Sequence, residues 1–150
     1  MHAGSGDPAY LTQTFEETMA LLDEARQSFE RAQGHRPADA YTELRFQCEA
    51  MRVTCRLTQS MAWLLAQKAV HNGEIDAEKM ASAPEFRIGA RTVCEDDRYH
   101  HDPVLPPWMS DLLERSHAIY QRVNRLDEQI QECAQGRADP RNRFPSYGPL

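Results

Sequence analysis

The 150-residue sequence has no apolar run suited to a membrane: the longest, Met61 to Ala66, is six residues and ends in Gln67 and Lys68. A spanning helix needs roughly 18 or more. Positive charge is also scarce. Lys and Arg number 17 against 23 Asp and Glu, giving a formal charge of −6, whereas general nucleic-acid binding relies on a basic surface that displaces counterions from phosphates. Met1 to Pro8 carries no basic region followed by an apolar one, so a secretory signal is not expected and the cytoplasm is the expected location. No glycine-rich phosphate loop, dinucleotide fingerprint or HExxH sequence occurs, so no cofactor and no enzymatic activity are expected. The four cysteines include no CxxC, which argues against a zinc ribbon or a thioredoxin-type site. Cys48 and Cys55 lie on one predicted helix, about 10 Å apart along its axis, too far to bridge. Reduced, mostly buried thiols are the expectation.

What is present is a chain of one-domain length whose 41% hydrophobic and 27% charged residues suit a folded protein. A first helix is predicted from about Ala9 to Gln33, opened by Pro8 and stopped by Gly34. Its expected core stripe is Phe15, Met19, Leu22, Ala25, Phe29 and Ala32. Its other face is acidic, with Glu16, Glu17, Asp23, Glu24 and Glu30, and should be solvated or meet positive charge. A second helix is predicted from Asp39, after Pro37, to His71, closed by Asn72 and Gly73. It spans about 50 Å. It carries one apolar stripe of Leu44, Cys48, Met51, Cys55, Ala62 and Leu65 and another of Phe46, Ala50, Val53, Leu57 and Leu64. The stripe centres lie roughly 150° apart, a wider arc than two bundle neighbours need. Met51, Cys55, Leu57, Leu64 and Leu65 are therefore expected to form a core or dimer face, and the protein is expected to be a homodimer.

Residues 74–105 read as a long connection, with a short helix from Ile75 to Ala81 and then Pro84, Gly89, Glu95-Asp96-Asp97 and Pro103. A third helix starts at Pro106-Pro107 and is predicted to reach about Cys133, before Gly136. In it Leu112, Ser116, Ile119, Val123, Leu126, Ile130 and Cys133 recur at spacings of three and four. The expected fold is thus all-α: an antiparallel three-helix bundle over residues 1–136, with a long connection between its second and third helices. A flexible C-terminal tail is expected at 137–150.

Two polar constellations carry functional readings. Glu95, Asp96, Asp97, Arg98, Tyr99, His100, His101 and Asp102 include the ligand types of a divalent metal, so a small metal-binding enzyme or sensor using His100 and His101 is the alternative function. Against it, adjacent histidines in an extended segment point apart and no spacing fixes a third ligand, which favours a solvated acidic loop. His117, beside Ser116, lacks a nucleophile elbow or a paired acid. Arg45, Arg52, Arg56 and Trp63 share one face of the second helix. Arg52, Arg56 and Trp63 suit a partner-binding surface, because arginine and tryptophan dominate interface hot spots. The competing reading places Trp63 at the bundle edge and pairs the arginines with the acidic first helix. In the tail, Arg141, Arg143 and Tyr147 are candidate contacts for an acidic partner. A purely structural helical dimer is a further reading.

The segment Ala50-Met51-Arg52-Val53-Thr54-Cys55-Arg56-Leu57-Thr58-Gln59, continuing through Trp63-Leu64-Leu65-Ala66-Gln67-Lys68-Ala69-Val70 to Asn72-Gly73-Glu74, resembles the bacterial RcdA family, the regulators of CtrA degradation (DUF1465-like). Leu105-Pro106-Pro107, Leu112, Glu114-Arg115-Ser116, Tyr120 and Arg125-Leu126-Asp127 look like the family's third-helix pattern. The resemblance implies a homodimeric three-helix bundle without catalytic activity, an adaptor that helps the ClpXP protease degrade cell-cycle regulators. It further implies a CpdR-like response regulator and CtrA-like substrates as partners. Such an adaptor raises the local concentration of a substrate at the protease, which takes two binding surfaces and no chemistry.

Overall fold

The computed structural model describes residues 7–35 and 39–138, with side chains through Gly136. Arg141, Arg143, Tyr147 and residues 139–150 of the expected tail lie outside the described residues, as does Pro37. The elements are α1 (Ala9–Ala32), α2 (Ala40–His71), α3 (Ala77–Ser82), a 3₁₀ turn (Pro84–Phe86), α4 (Arg91–Cys94) and α5 (Pro107–Ala138). No strand occurs among the described residues, and none of their helices is long and apolar enough to cross a membrane.

The ends of α2 follow from local chemistry. Asp39 stands before the first turn and accepts hydrogen bonds from the Thr42 backbone N–H and hydroxyl, both at 2.8 Å, occupying a donor the helix leaves unpaired. At the other end Gly73 takes a φ of 78°, the left-handed turn a glycine adopts without steric cost. Glu74 N–H then donates back to the Ala69 carbonyl. In α5, by contrast, Gly136 does not end the helix, which continues to Ala138, past both the expected end near Cys133 and the domain boundary drawn at 136.

Contacts fix the helix directions. Along α1 and α5, Glu24 pairs with Arg115 and Glu17 with Arg122, and Asp7 reaches Lys68 near the end of α2. Thus α1 is antiparallel to both long neighbours. Along α2 and α5, however, Arg56 meets Leu113 and Ser116 while Trp63 meets Asp127, so these two helices run parallel. The all-antiparallel expectation is corrected here, and the connection supplies the reason. Residues 72–106 travel back along the whole bundle: Met80 lies against Gln67, Gly89 against Gln59, Cys94 against Cys55 and Tyr99 against Arg45. They form an ordered strap, pinned inward by Met80, Ile88, Cys94, His100 and Leu105.

The core gathers Leu11, Leu21, Ala25, Val53, Leu57, Leu64, Met109, Leu112, Leu113, Ile119, Tyr120 and Val123. Along α1 the buried positions are Leu11, Thr14, Thr18, Leu21 and Ala25, one residue out of phase with Phe15, Met19 and Leu22 of the expected stripe. Phe15, Leu22 and Phe29 only flank the core, and Met19 is exposed. Thr18 settles its buried hydroxyl by donating to the Thr14 carbonyl at 2.7 Å, which lets a polar residue face inward.

Candidate functional site

On α2 the face toward the strap and α5 is polar, and Arg56 is its centre. No part of Arg56 is exposed. Its Nε donates to the Cys94 carbonyl at 2.8 Å, Nη1 to the Leu113 carbonyl at 2.9 Å, and Nη2 to the Asp96 carbonyl at 2.8 Å. One side chain thereby fastens the strap on either side of Glu95 and the first turns of α5. Burial, and then the neighbouring Arg52, lower its pKa from 12.5 to about 10.

Nη2 of Arg56 also lies 3.0 Å from Nε2 of His100. A guanidinium only donates, so this ring nitrogen must offer its lone pair and His100 is neutral. Burial first, then Arg56, hold the pKa values of His100 and His117 below the ordinary histidine range. The two rings meet edge to face at 5.1 Å.

Above this point sits a charged ladder. Glu49, fully buried, receives Arg52 at 2.9 Å and Arg45 at 3.3 Å. Arg52 also donates to the Val93 carbonyl and faces Asp96 at 3.7 Å. Arg98 grips Asp96 through two nitrogens, at 2.8 and 2.9 Å, and this pairing holds the Asp96 carboxyl well below the usual carboxylate range. Arg45 lies over the Tyr99 ring at 3.8 Å. At the other end of the face, Trp63 Nε1 donates to Asp127 at 3.0 Å and Arg87 takes the second oxygen at 3.2 Å. Between them, Gly89 donates to Gln59 and accepts from the Tyr120 hydroxyl. Added bulk at Gly89 would meet Gln59 Oε1 at 3.3 Å.

These positions revise several expectations. Arg56 and Trp63 are interior residues, and Arg52 is largely covered, so the expected Arg52, Arg56 and Trp63 partner face is not an exposed surface of this chain. Nor do those arginines pair with α1, whose carboxylates meet Arg115 and Arg122 instead. The physical reason is the strap, which covers the face a bare helix would present to solvent. The expected core or dimer set also splits: Leu57 and Leu64 are core, Cys55 is half-buried, and Met51 and Leu65 are exposed at 70% and 51%. Only Cys94 among the cysteines is buried, and Cys133 is exposed.

His100 and His101 diverge, one inward to Arg56 and the other outward to Glu114 at 2.9 Å. Among the described residues no three His, Cys, Asp or Glu side chains are grouped to hold a metal, and the His100 Nε2 lone pair is already engaged. What the buried network does is bind main chain to α2. The accessible feature is elsewhere. Tyr41, Leu44, Met51 and Leu65 project from α2, and beside them Phe29, Phe46, Ala50, Met51 and Cys55 line an open groove of about 850 Å³.

Comparison with known proteins bears on what such a surface serves. The family described as a protein of unknown function, DUF1465, matches residues 5–144. No curated protein matches. The crystal structure of RcdA from Caulobacter crescentus CB15 is similar, with 30% identity, a TM-score of 0.63, and coverage of 85% of this chain and 95% of that one. The chain therefore belongs to the DUF1465 family and is RcdA-like in sequence and in helical fold.

Proposed function

We propose that this protein is a non-enzymatic adaptor in regulated proteolysis. The observation that carries the reading is the likeness to RcdA over 85% of the chain. In this reading the protein acts in the cytoplasm with the ClpXP protease and a CpdR-like response regulator, and delivers CtrA-like cell-cycle regulators. Two copies pair through the apolar stripe of α2 that includes Leu44, Met51 and Leu65. Supporting this, these side chains are all more than half exposed at one register of the helix, where they offer one apolar line to a partner.

The test is reconstitution. Adding the protein to ClpXP and the response regulator is expected to accelerate turnover of CtrA-like substrates while leaving an unrelated tagged substrate unchanged. If no candidate cell-cycle regulator turns over faster, the adaptor reading is wrong.

A further inference from the structure

Two thiols far apart in the sequence meet where the strap crosses α2. Cys94 closes α4 and Cys55 lies midway along α2, and their sulfurs stand 3.5 Å from each other. Cys94 is fully buried, whereas Cys55 is half-buried and lines the open groove. One residue of the pair thus borders the open groove and the other is buried behind it. A disulfide needs a separation of about 2.05 Å, so each sulfur has to travel less than about 1 Å.

The surroundings sort the roles. Burial, and then the contact with Cys55, push the Cys94 thiol up, so it stays protonated in the reduced protein. Chemistry therefore starts at the outer sulfur, and the inner one resolves it.

We propose that Cys55 and Cys94 form a reversible oxidation site at which a hydroperoxide converts the dithiol into an intramolecular disulfide. The Cys55 sulfur attacks the terminal peroxide oxygen. An S–O bond forms, the O–O bond breaks, and the leaving oxygen takes a proton and departs as water or an alcohol. The Cys94 sulfur then attacks the Cys55 sulfenic acid; the S–S bond forms and the S–O bond breaks, the hydroxyl leaving as water with the Cys94 proton. The two sulfurs lose two electrons in total and the peroxide gains them; a thiol reductant reverses the bond by exchange. The product ties the strap to α2 covalently beside the point where Arg56 already holds it.

The experiment uses the full chain carrying Cys48→Ser and Cys133→Ser, which leaves only this pair. After hydrogen peroxide treatment the intact mass is expected to fall by two hydrogens with the chain unlinked to other copies. Peptide mapping should join the segments bearing Cys55 and Cys94, and dithiothreitol should restore the starting mass. The oxidised form should melt higher by roughly 10 °C, as closing a long loop predicts. Repeating the treatment with Met51→Asp added keeps Cys55 open even if a second copy covers it. In that background, added oxygen without a Cys55–Cys94 linkage, or no reaction under peroxide that fully oxidises Cys133 in the parent protein, overturns the proposal.

Discussion

Replacing Arg56 by methionine tests the central claim about the strap, because it keeps an unbranched, flexible side chain, though a shorter one, and removes every donor. Charge-assisted hydrogen bonds stabilise by about 1.5–3 kcal/mol each, so the three short bonds to the Cys94, Leu113 and Asp96 carbonyls together represent roughly 5–9 kcal/mol. Opposing them is the cost of holding the guanidinium buried beside Arg52. Its pKa lies near 10 instead of 12.5, a depression equivalent to roughly 3 kcal/mol. The net loss in R56M is therefore about 2–6 kcal/mol, a large part of the 5–15 kcal/mol typical of a domain. Urea unfolding followed by helical circular dichroism measures it. Limited trypsin digestion adds the spatial detail: Arg87, Arg91 and Arg98 of the strap should be cut before the long helices. R56K should lose most of the same stability, since one ammonium cannot serve three carbonyls approached from different directions. A stability within about 1 kcal/mol of the parent, with the strap still protected, would refute the reasoning.

Acidification should loosen the same region. His100 and His117 have folded-state pKa values below those of the unfolded chain, so the unfolded state takes up protons first; stability is intact above about pH 6.5 and falls as pH drops below it. Urea midpoints at successive pH values should show this, with a shallower slope in H100Q, and a flat profile between neutral and mildly acidic pH would contradict it. Met51→Asp combined with Leu44→Asp should raise the dimer dissociation constant at least about tenfold in sedimentation, and a parent protein that is monomeric at micromolar concentration would remove the basis for that test. W63F deprives the buried Asp127 of one donor while Arg87 keeps the other, so a loss of about 1–3 kcal/mol is expected; denaturant titration yielding no loss would mean that water replaces the indole.

The helices themselves were legible because their signals are local: Asp39 before α2, Gly73 after it, Pro107 at the start of α5. What the sequence hid was the inward face of α2. Glu49, Val53, Arg56, Ser60, Trp63 and Gln67 are all buried and repeat at spacings of four and three, the rhythm of a packed helix. Most are polar, so a search for apolar periodicity passes over them and assigns the arginines to the surface. Thr14 and Thr18 displaced the stripe of α1 for the same reason. Polar residues at core spacing were the available signal, and they acquire meaning only once a second polar segment is known to lie against them. The connection itself was legible but its order was not, because Gly89, Pro84 and Pro103 break helices without preventing order. Even Ala90, with a positive φ of 56° where it precedes α4, follows Gly89, whose N–H and carbonyl are both engaged. The thiol contact was invisible to spacing rules, which look for cysteines close in sequence.

The parallel course of α2 and α5 carries a consequence for how the chain reaches its native state. Only seven residues of sequence separate α1 from α2, whereas the contacts that lock α2 to α5 join residues 57 to 64 positions apart. Contacts of long sequence separation must pay their loop entropy before they stabilise anything. The hairpin should therefore assemble first and present an unfilled polar seam along α2, and α5 should dock last, when the returning segment supplies the carbonyls that Arg56 requires. Until that moment Arg56 is better left in water, which makes final docking a cooperative event and not a gradual zipping of helices.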